Sequence, residues 1–274
     1  MKRIILCADD FARSEPISEG ITALVEMGRL SAVSCMTEGL YWQHRNNRLP
    51  QLRDRIDIGL HFNLTQGFVG PGEPPMRVLR DALMGKLSRQ RIETSLHDQL
   101  DRFESVMGDA PDFVDSHEHV HLFPTIRIAM LQTLARRYRH RLPWLRQVNV
   151  ASNRGARRQR KLMVEILGWG FAGAARRYGF ELNRSCSGMY APHRNSDFGA
   201  LMRRWLDRAA DGELIICHPT KPDGDDDVAT AHSQEYAWLA SDAFGDALTE
   251  MDIKLARFHE ITPRRGPLQA NRSS

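Results

Sequence analysis

The sequence predicts an α/β fold with a mainly parallel sheet that is covered by helices and is either open or closed into a barrel. Short apolar segments alternate with amphipathic segments along the 274 residues, and this alternation is typical of parallel strands joined by helices. Four predicted strands end at aspartate or histidine residues, where such folds carry their functional groups. We expect one domain over residues 1–262 and a disordered, Pro-, Arg- and Ser-containing tail over residues 263–274.

Each element can be placed from its residue pattern. The first strand is the apolar run RIILCA at residues 3–8, and a helix follows with Ser14 as its N-cap and Pro16 in its first turn. Apolar or alternating runs predict further strands, at residues 30–36, 56–64, 113–115, 145–150, 213–217 and 254–258. Apolar residues at helical spacing predict further helices, at residues 92–107, 124–134, 161–178 and 233–248 and around Trp205.

The composition argues against several classes of protein. Hydrophobic residues make up 42% of the chain and charged residues 26%, which is ordinary for a globular domain. No window approaches the roughly 18 apolar residues of a membrane span, and the first apolar run is too short for a signal peptide. The four cysteines lack zinc-finger spacing, so we expect reduced thiols in a cytoplasmic protein.

A basic run between Ala135 and Lys161 carries much of the net charge of +4. One interpretation is a surface that binds nucleic acid. Aromatic residues are not interleaved in the run as stacking on bases would require. We therefore favour a solvated helix face and loop, and we expect no nucleic-acid partner.

The run DSHEHVH, which begins at Asp115, is the most informative motif. If the segment is extended, His117, His119 and His121 project to one side. Neutral imidazole is the commonest metal ligand, so the spacing predicts a metal site. One ligand with two substrate-facing histidines fits the pattern equally well. Asp115 and Glu118 are candidates for orienting the imidazole N–H groups.

Other predicted strand ends supply Asp9, Asp10, His61 and His218. Two adjacent carboxylates repel unless a cation or a proton lies between them, although a helix cap beside a solvated aspartate is the plainer interpretation. His61 alone suits a hydrogen-bonded core histidine, and His218 could act as an acid or base near pH 7. The sequence contains no phosphate-binding loop and no GxSxG nucleophile elbow, so metal-assisted hydrolysis is favoured.

Four motifs occur in order along most of the chain: ADDF at 8–11, GLHFNLT at 59–65, VDSHEHVHLFP at 114–124 and ELIICHP at 213–219. Together they resemble the YdjC/ChbG-like carbohydrate deacetylase family, and the late segment around Glu235 is similar as well. The resemblance implies a distorted, TIM-barrel-like β/α domain, of a kind often found as a homodimer. It also implies removal of N-acetyl groups from an amino sugar, an N-acetylated oligosaccharide or a glycolipid head group.

The resemblance assigns roles to residues of this sequence. The metal ligands of the family match Asp10, His61 and His117, the catalytic base matches Asp9, and the histidine of the late strand matches His218. The implied cofactor is one divalent ion, Mg²⁺ or Zn²⁺, and a mixed nitrogen and oxygen donor set also accepts Mn²⁺ or Co²⁺.

These roles lead to a mechanistic hypothesis. The metal polarises the acetamide carbonyl and activates a water molecule, and Asp9 accepts the proton of that water. His218, or one of His119 and His121, then protonates the leaving amine. Tyr190 is among the aromatic residues that could stack on a sugar ring.

Two departures from the family pattern affect the site. Ala12 stands where the family usually has glycine, and an alanine costs about 1 kcal/mol there if φ must be positive. Glu118 stands where many members have histidine. Two other functions stay open from the residues alone: metal-dependent hydrolysis of another amide or a phosphoester, and non-catalytic nucleic-acid binding through residues 135–161.

Overall fold

The predicted strands form one curved sheet. The computed structural model of the protein describes residues 1–44, 47–68, 72–148, 168 and 170–262. The strands are β1 (Lys2–Phe11), β2 (Ala32–Cys35), β3 (Asp57–Phe62), β4 (Phe113–Ser116), β5 (Trp144–Leu145), β6 (Ser185–Ser187), β7 (Glu213–Cys217) and β8 (Ile253–Leu255). Within the described ranges they pair in parallel, in the order β5-β4-β3-β2-β1-β7-β6, with β8 beside the first residues of β1.

Helices connect and cover these strands. They are α1 (Glu15–Glu26), α2 (Pro75–Leu83), α3 (Arg89–Met107), α4 (Pro124–Arg137), α5 (Phe198–Arg208), α6 (Asp227–Ala240), α7 (Asp242–Glu250) and α8 (Phe258–Ile261), and residues 170–177 are also helical. Ser14 is the N-cap residue of α1, as predicted, although its side chain makes no capping hydrogen bond. Among the described helices, none combines the length and the apolar composition that crossing a membrane requires.

The single helix predicted over residues 233–248 is two helices, so that prediction is wrong. Ser241 has an extended backbone, with ψ at 162°, and separates α6 from α7. The first of them also begins earlier than predicted, because the Asp226 carboxylate accepts hydrogen bonds from two backbone N–H groups of its first turn. Caps of this kind are local hydrogen-bond effects, which apolar periodicity does not detect.

The middle of the chain is described only in part. The strand predicted at residues 145–150 is confirmed at its start by β5, and the helix predicted at residues 161–178 is confirmed over residues 170–177. The rest of this predicted strand and the first part of this predicted helix fall within residues 149–167, which lie outside the described residues. The predicted tail at residues 263–274 lies outside them as well.

The sheet curves far enough for its two edges to approach each other. Leu182, just before β6, forms an isolated parallel bridge with Leu145 of β5, and the Leu145 N–H donates to the Glu181 carbonyl over 2.9 Å. The segment leading into β6 therefore links the edges of the sheet. This arrangement confirms the expected fold, a mainly parallel α/β domain that resembles a distorted TIM barrel.

Successive residues of β1 face two different apolar layers. Ile4 and Leu6 pack in the large cluster between the sheet and the helices. Ile5 and Cys7 belong to a smaller cluster on the inner face of the sheet, which Phe258 of α8 covers at the amino ends of the strands. Because side chains alternate along a strand, the next inward-facing position on β1 lies at the carboxyl end, beyond this apolar layer.

Gly39 marks the closest approach between the loops that follow β1 and β2. A Cβ at this position would lie 1.8 Å from the carbonyl oxygen of Ala12. We expect Gly39→Ala to lower the free energy of unfolding by about 3 kcal/mol, because no side-chain rotation relieves an overlap with backbone. Gly173→Ala is the matched control, since its Cβ would meet one side-chain atom at 3.9 Å. Urea unfolding compares the two, and equal stability would contradict the expectation.

Candidate active site

A polar layer lies directly above the inner apolar cluster, at the carboxyl ends of the strands. It follows from the alternation of side chains, since Asp9 is two residues beyond Cys7 and Asp115 is two residues beyond Phe113. The members of this layer are Asp9, Ser34, His61, Asp115, Arg146 and His218. All of them are buried except His218, which is half-buried. The strand ends that the sequence singles out therefore do meet in space.

Asp10 also faces this layer, although the alternation of side chains along β1 would direct it to the opposite face of the sheet. Its φ of 67° is left-handed, a conformation that aspartate adopts more readily than most residues. The register between β1 and β2 also shifts between Ala8 and Phe11, and irregularities of this kind redirect side chains at active sites. Both Asp9 and Asp10 consequently place a carboxylate oxygen within 4.8 Å of a ring nitrogen of His61.

Asp10, His61 and His117 converge on one point. Asp10 Oδ1 lies 3.0 Å from His117 Nδ1 and 3.4 Å from His61 Nε2. The other carboxylate oxygen, Oδ2, accepts a hydrogen bond of 2.9 Å from Arg13 Nη1. Arg13 thus fixes the orientation of the carboxylate and leaves Oδ1 directed at the two imidazoles.

The donor atoms of this group fit a cation. Asp10 Oδ1 is buried and, among the described residues, no group donates a hydrogen bond to it, although the ring nitrogens of His61 and His117 are near. A buried carboxylate oxygen without a partner carries a desolvation cost. One metal ion held by this oxygen and the two nitrogens would remove that cost, and one carboxylate with two imidazoles is a common catalytic donor set.

Asp115 and Ser34 set the orientation of the His61 ring. Asp115 Oδ1 lies 2.8 Å from His61 Nδ1 and accepts a 2.5 Å hydrogen bond from the Ser34 hydroxyl. A carboxylate at Nδ1 favours the tautomer with the proton on that nitrogen. With a metal ion bound, His61 Nε2 would present its lone pair to the ion beside Asp10.

The potential at His61 is strongly negative. Burial lowers the pKa of this imidazole, but the carboxylates of Asp115, Asp9 and Asp10 outweigh burial and raise the pKa to about 10. An environment that stabilises one positive charge on an imidazole to this extent also stabilises a divalent cation bound to it.

Arg146 joins the two inner carboxylates, and the sequence analysis did not identify it. Its guanidinium donates to both oxygens of Asp9 at 2.6 and 2.7 Å and lies 2.6 Å from Asp115 Oδ2. Burial raises the pKa of Asp9, yet the charge of Arg146 holds that pKa well below its usual range.

The expectation that the basic run is entirely solvated is wrong at Arg146, because the side chain of this residue is completely buried. The sequence carries no clear signal for this role, because Arg146 lies inside the strand predicted at residues 145–150 and among many other basic residues.

Comparisons with known proteins identify the family of this chain. The sequence model of the YdjC-like protein family matches residues 3–250. The chain belongs to the YdjC-like family. A chitooligosaccharide deacetylase of Serratia marcescens is 34% identical over 134 residues, which cover 46% of this chain and 53% of the relative. A carbohydrate deacetylase of Danio rerio is 28% identical over 147 residues, covering 48% and 46%. The chain spans about half the length of the curated relatives it matches.

The fold of the YdjC-like chain also has a counterpart among solved structures. A proposed cellobiose-phosphate cleavage protein from Enterococcus faecalis superposes with a TM-score of 0.68, covering 94% of this chain and 98% of the other. Sequence identity between the two is 18%, so the likeness establishes the fold alone. It extends over nearly the whole of both chains.

In this YdjC-like protein, Ala12 occupies a strained position. Its φ is 71°, so the condition stated for this family glycine is met, and a cost of about 1 kcal/mol applies. The Ala12 N–H donates to the Ser18 hydroxyl over 3.0 Å, which anchors the turn to α1. The alanine is accommodated without removing Asp10 from the site.

The histidine run does not adopt the extended conformation that the sequence analysis assumed. Residues 117–122 form a 3-10 segment in which Glu118 and His119 have left-handed φ values of 52° and 56°. His117 alone of the three reaches Asp10, while His119 is half-buried and Glu118 is exposed. The prediction that three histidines share one face is therefore wrong, because the chain turns immediately after β4.

His121 lies behind the site. Its Nδ1 is 2.6 Å from the Ser116 hydroxyl, its Nε2 is 3.0 Å from the Arg146 carbonyl oxygen, and the side chain is fully buried. Burial lowers the pKa of His121 to about 4, so the ring is neutral at pH 7. Both nitrogens are engaged in hydrogen bonds, Nδ1 with the Ser116 hydroxyl and Nε2 with the Arg146 carbonyl oxygen, so His121 supports the structure behind the site.

His218 and Tyr190 complete the surroundings of the site. His218 is half-buried at the end of β7, near enough to Asp9 for its charge to lower the pKa of that carboxyl. The Tyr190 hydroxyl donates to Glu235 Oε1 over 2.7 Å. Tyr190 is therefore tied to α6 by its hydroxyl, and its ring is half-buried rather than free in a groove.

Proposed function

We propose that this YdjC-like protein is a divalent-metal-dependent hydrolase that removes N-acetyl groups from an amino sugar or an N-acetylated oligosaccharide. The observation that carries the proposal is the buried Asp10 Oδ1, which faces imidazole nitrogens of His61 and His117 and accepts no hydrogen bond within the described residues. The substrate class is suggested by the sequence relatives, which are named chitooligosaccharide and carbohydrate deacetylases.

Asp10, His61 and His117 are the residues that would hold the ion. Three protein ligands leave coordination positions for water and substrate, and the mixed donor set suits Zn²⁺, Mg²⁺, Mn²⁺ or Co²⁺. Bound there, a divalent ion polarises the acetyl carbonyl and makes a water molecule acidic enough to react near neutral pH.

Asp9 is the group we assign to accept the proton of the attacking water. Its contact with Arg146 keeps it ionised at neutral pH. Asp9 Oδ1 also accepts a hydrogen bond from Cys7 Sγ over 3.6 Å, so Oδ2 is the oxygen that retains a further lone pair for a hydrogen bond from water. A carboxylate with a lowered pKa is a weak base, so it depends on the acidity that the ion confers on the water.

His218 is the group we assign to protonate the leaving amine. An amine leaves poorly as an anion, so cleavage of the amide bond requires a proton on the nitrogen. His218 lies at the end of β7, adjacent to β1 in the sheet, and its backbone N–H is bonded to Glu235 Oε2 over 2.6 Å. The acid and the base thus come from neighbouring strands.

Acetate release tests the proposed function. The purified protein, loaded in turn with Zn²⁺, Mg²⁺, Mn²⁺ and Co²⁺, is incubated with chitobiose, longer chitooligosaccharides, N-acetylglucosamine-bearing lipids and a panel of phosphoesters. We expect metal-dependent acetate release from at least one N-acetylated sugar and no phosphate release. Phosphate release without acetate would instead support the phosphoester alternative.

His117→Ala should abolish tight metal binding, because it removes one of three ligands from the Asp10 group. We expect the affinity for Zn²⁺, measured by calorimetry on the metal-free protein, to fall by about 100-fold or more, with acetate release falling in parallel. The control is His140→Ala, at an exposed position beyond α4. Unchanged zinc affinity in His117→Ala would contradict the ligand assignment.

A further inference from the structure

A second histidine lies against His218. His232, on α6, has its ring stacked on the His218 ring, with centroids 5.4 Å apart and planes inclined by 17°. Both side chains are half-buried. Offset stacking at this separation is a favourable arrangement for aromatic rings. The sequence analysis did not single out His232, because nothing in the pattern of α6 distinguishes it from a helix-surface histidine.

The backbone beneath this stack is fixed to α6 at two points. The His218 N–H donates to Glu235 Oε2 over 2.6 Å, and the Thr220 N–H donates to the His232 carbonyl oxygen over 3.2 Å. Glu235 is itself buried, and its other oxygen accepts the Tyr190 hydroxyl. The carboxylate is thus fully used in holding the loop after β7.

These backbone contacts leave the His218 side chain free to rotate about its own bonds. Within the described residues, no hydrogen bond is made to either ring nitrogen of His218, so the stack with His232 is the directional contact that restrains its ring. An unrestrained imidazole at a half-exposed strand end samples several rotamers. Only a fraction of these would direct a nitrogen at a substrate.

We infer that His232 is a positioning residue that holds the His218 ring in the orientation from which it protonates the leaving amine. The inference rests on the proposed function, since it takes from it the role of His218. His232 acts through its ring face and not through a nitrogen, so a planar side chain without nitrogen should replace it.

The charge state of His232 suits this role. Burial and the neighbouring His218 lower the pKa of His232 to about 4, so it is neutral at pH 7. A neutral ring stacked on His218 can remain in place when His218 carries a proton, whereas two imidazolium rings would repel each other. Asp10, Arg13 and Asp226 are the other charged groups that act on His232.

Two variants of His232 test the inference. His232→Ala removes the ring, and His232→Phe keeps a planar ring without nitrogen. On the N-acetylated sugar that wild type deacetylates, we expect His232→Ala to lower kcat about 10- to 100-fold with KM within about threefold of wild type, because misplacing a catalytic group affects the chemical step. We expect His232→Phe to keep kcat within about threefold. His259→Ala, at an exposed position on α8, is the control.

Each outcome bears on a distinct claim. Wild-type kcat in His232→Ala would overturn the inference, and so would His232→Phe as impaired as His232→Ala, since a nitrogen would then be required. If His232→Ala fails to fold, an active His232→Phe still supports the stacking role and an inactive, folded one overturns it. Absence of acetate release in wild type would instead refute the proposed function itself.

Discussion

Asp9→Asn should lower kcat for deacetylation by about 10²- to 10⁴-fold, the usual contribution of a general base, while the affinity for the divalent ion stays near that of wild type. The expectation follows from the different roles that we assign to the two adjacent carboxylates, a metal ligand for Asp10 and the base for Asp9. Asp10 faces His61 and His117, whereas Asp9 is held by Arg146 on the inner face of the sheet. An amide at position 9 cannot accept the proton of the attacking water.

Steady-state kinetics and calorimetric metal titration measure the two parts of this prediction. Asp207→Asn is the matched control, because Asp207 is exposed on α5, away from the polar layer. Wild-type activity in Asp9→Asn would show that the base is another group. Loss of the ion from Asp9→Asn would show that the carboxylate at position 9 acts as a ligand.

Arg146→Met should destabilise the protein by about 3–5 kcal/mol at neutral pH, the usual effect of removing one partner from a buried ion pair. Arg146 is completely buried between Asp9 and Asp115. Its removal leaves the buried Asp9 carboxylate without its ion-pair partner, and leaves Asp115 with His61 Nδ1, 2.8 Å away, as its remaining one. The same change should abolish deacetylation. Urea unfolding of the metal-free protein measures the first effect, and acetate release from the metal-loaded protein measures the second.

The destabilisation of Arg146→Met should depend on pH. Burial raises the pKa of Asp9, but the charge and hydrogen bonds of Arg146, together with the charges of His61 and His218, outweigh burial and lower that pKa in the folded protein. A carboxyl with a lowered folded pKa contributes stability that is fully present above its unfolded pKa, near 4, and that declines as the pH falls toward the folded value. The difference between wild type and Arg146→Met should therefore be widest at neutral pH and narrow below about pH 4.

A surface pair provides the comparison for Arg146→Met. Arg203 and Glu250 are 2.9 Å apart with side chains 41% and 60% exposed, so Arg203→Met should cost less than about 1 kcal/mol. Equal effects of the two substitutions, or no pH dependence in Arg146→Met, would contradict the account of Arg146 as the cation of a buried network.

The sequence predicts the strand ends of the site well because side chains alternate between the two faces of a strand, so the positions that face the site can be read from the apolar residues before them. Asp9, His61 and His218 continue apolar strands in register, and parallel strands bring their carboxyl ends together whatever the connecting segments do. Asp10 joins them through a left-handed turn, which a simple alternation does not produce. The family resemblance, not the period, selects Asp10 as a ligand.

The remaining parts of the site depend on tertiary contacts that leave little trace in the sequence. Arg146 lies among many other basic residues, and its burial becomes apparent only when two carboxylates from other strands surround it. Which histidines of the run at residues 117–121 reach the site depends on the backbone turn at Glu118 and His119. The stacking of His232 depends on where α6 lies against β7.

The central claim is that Asp10, His61 and His117 share one divalent ion. Crystals grown with Mn²⁺ or Zn²⁺ and measured near the absorption edge of the metal would locate the ion by anomalous scattering. The account predicts a peak about 2.0–2.2 Å from Asp10 Oδ1, His61 Nε2 and His117 Nδ1. A peak bound only elsewhere, such as between His218 and Glu235, or no peak at the Asp10 group, would contradict it.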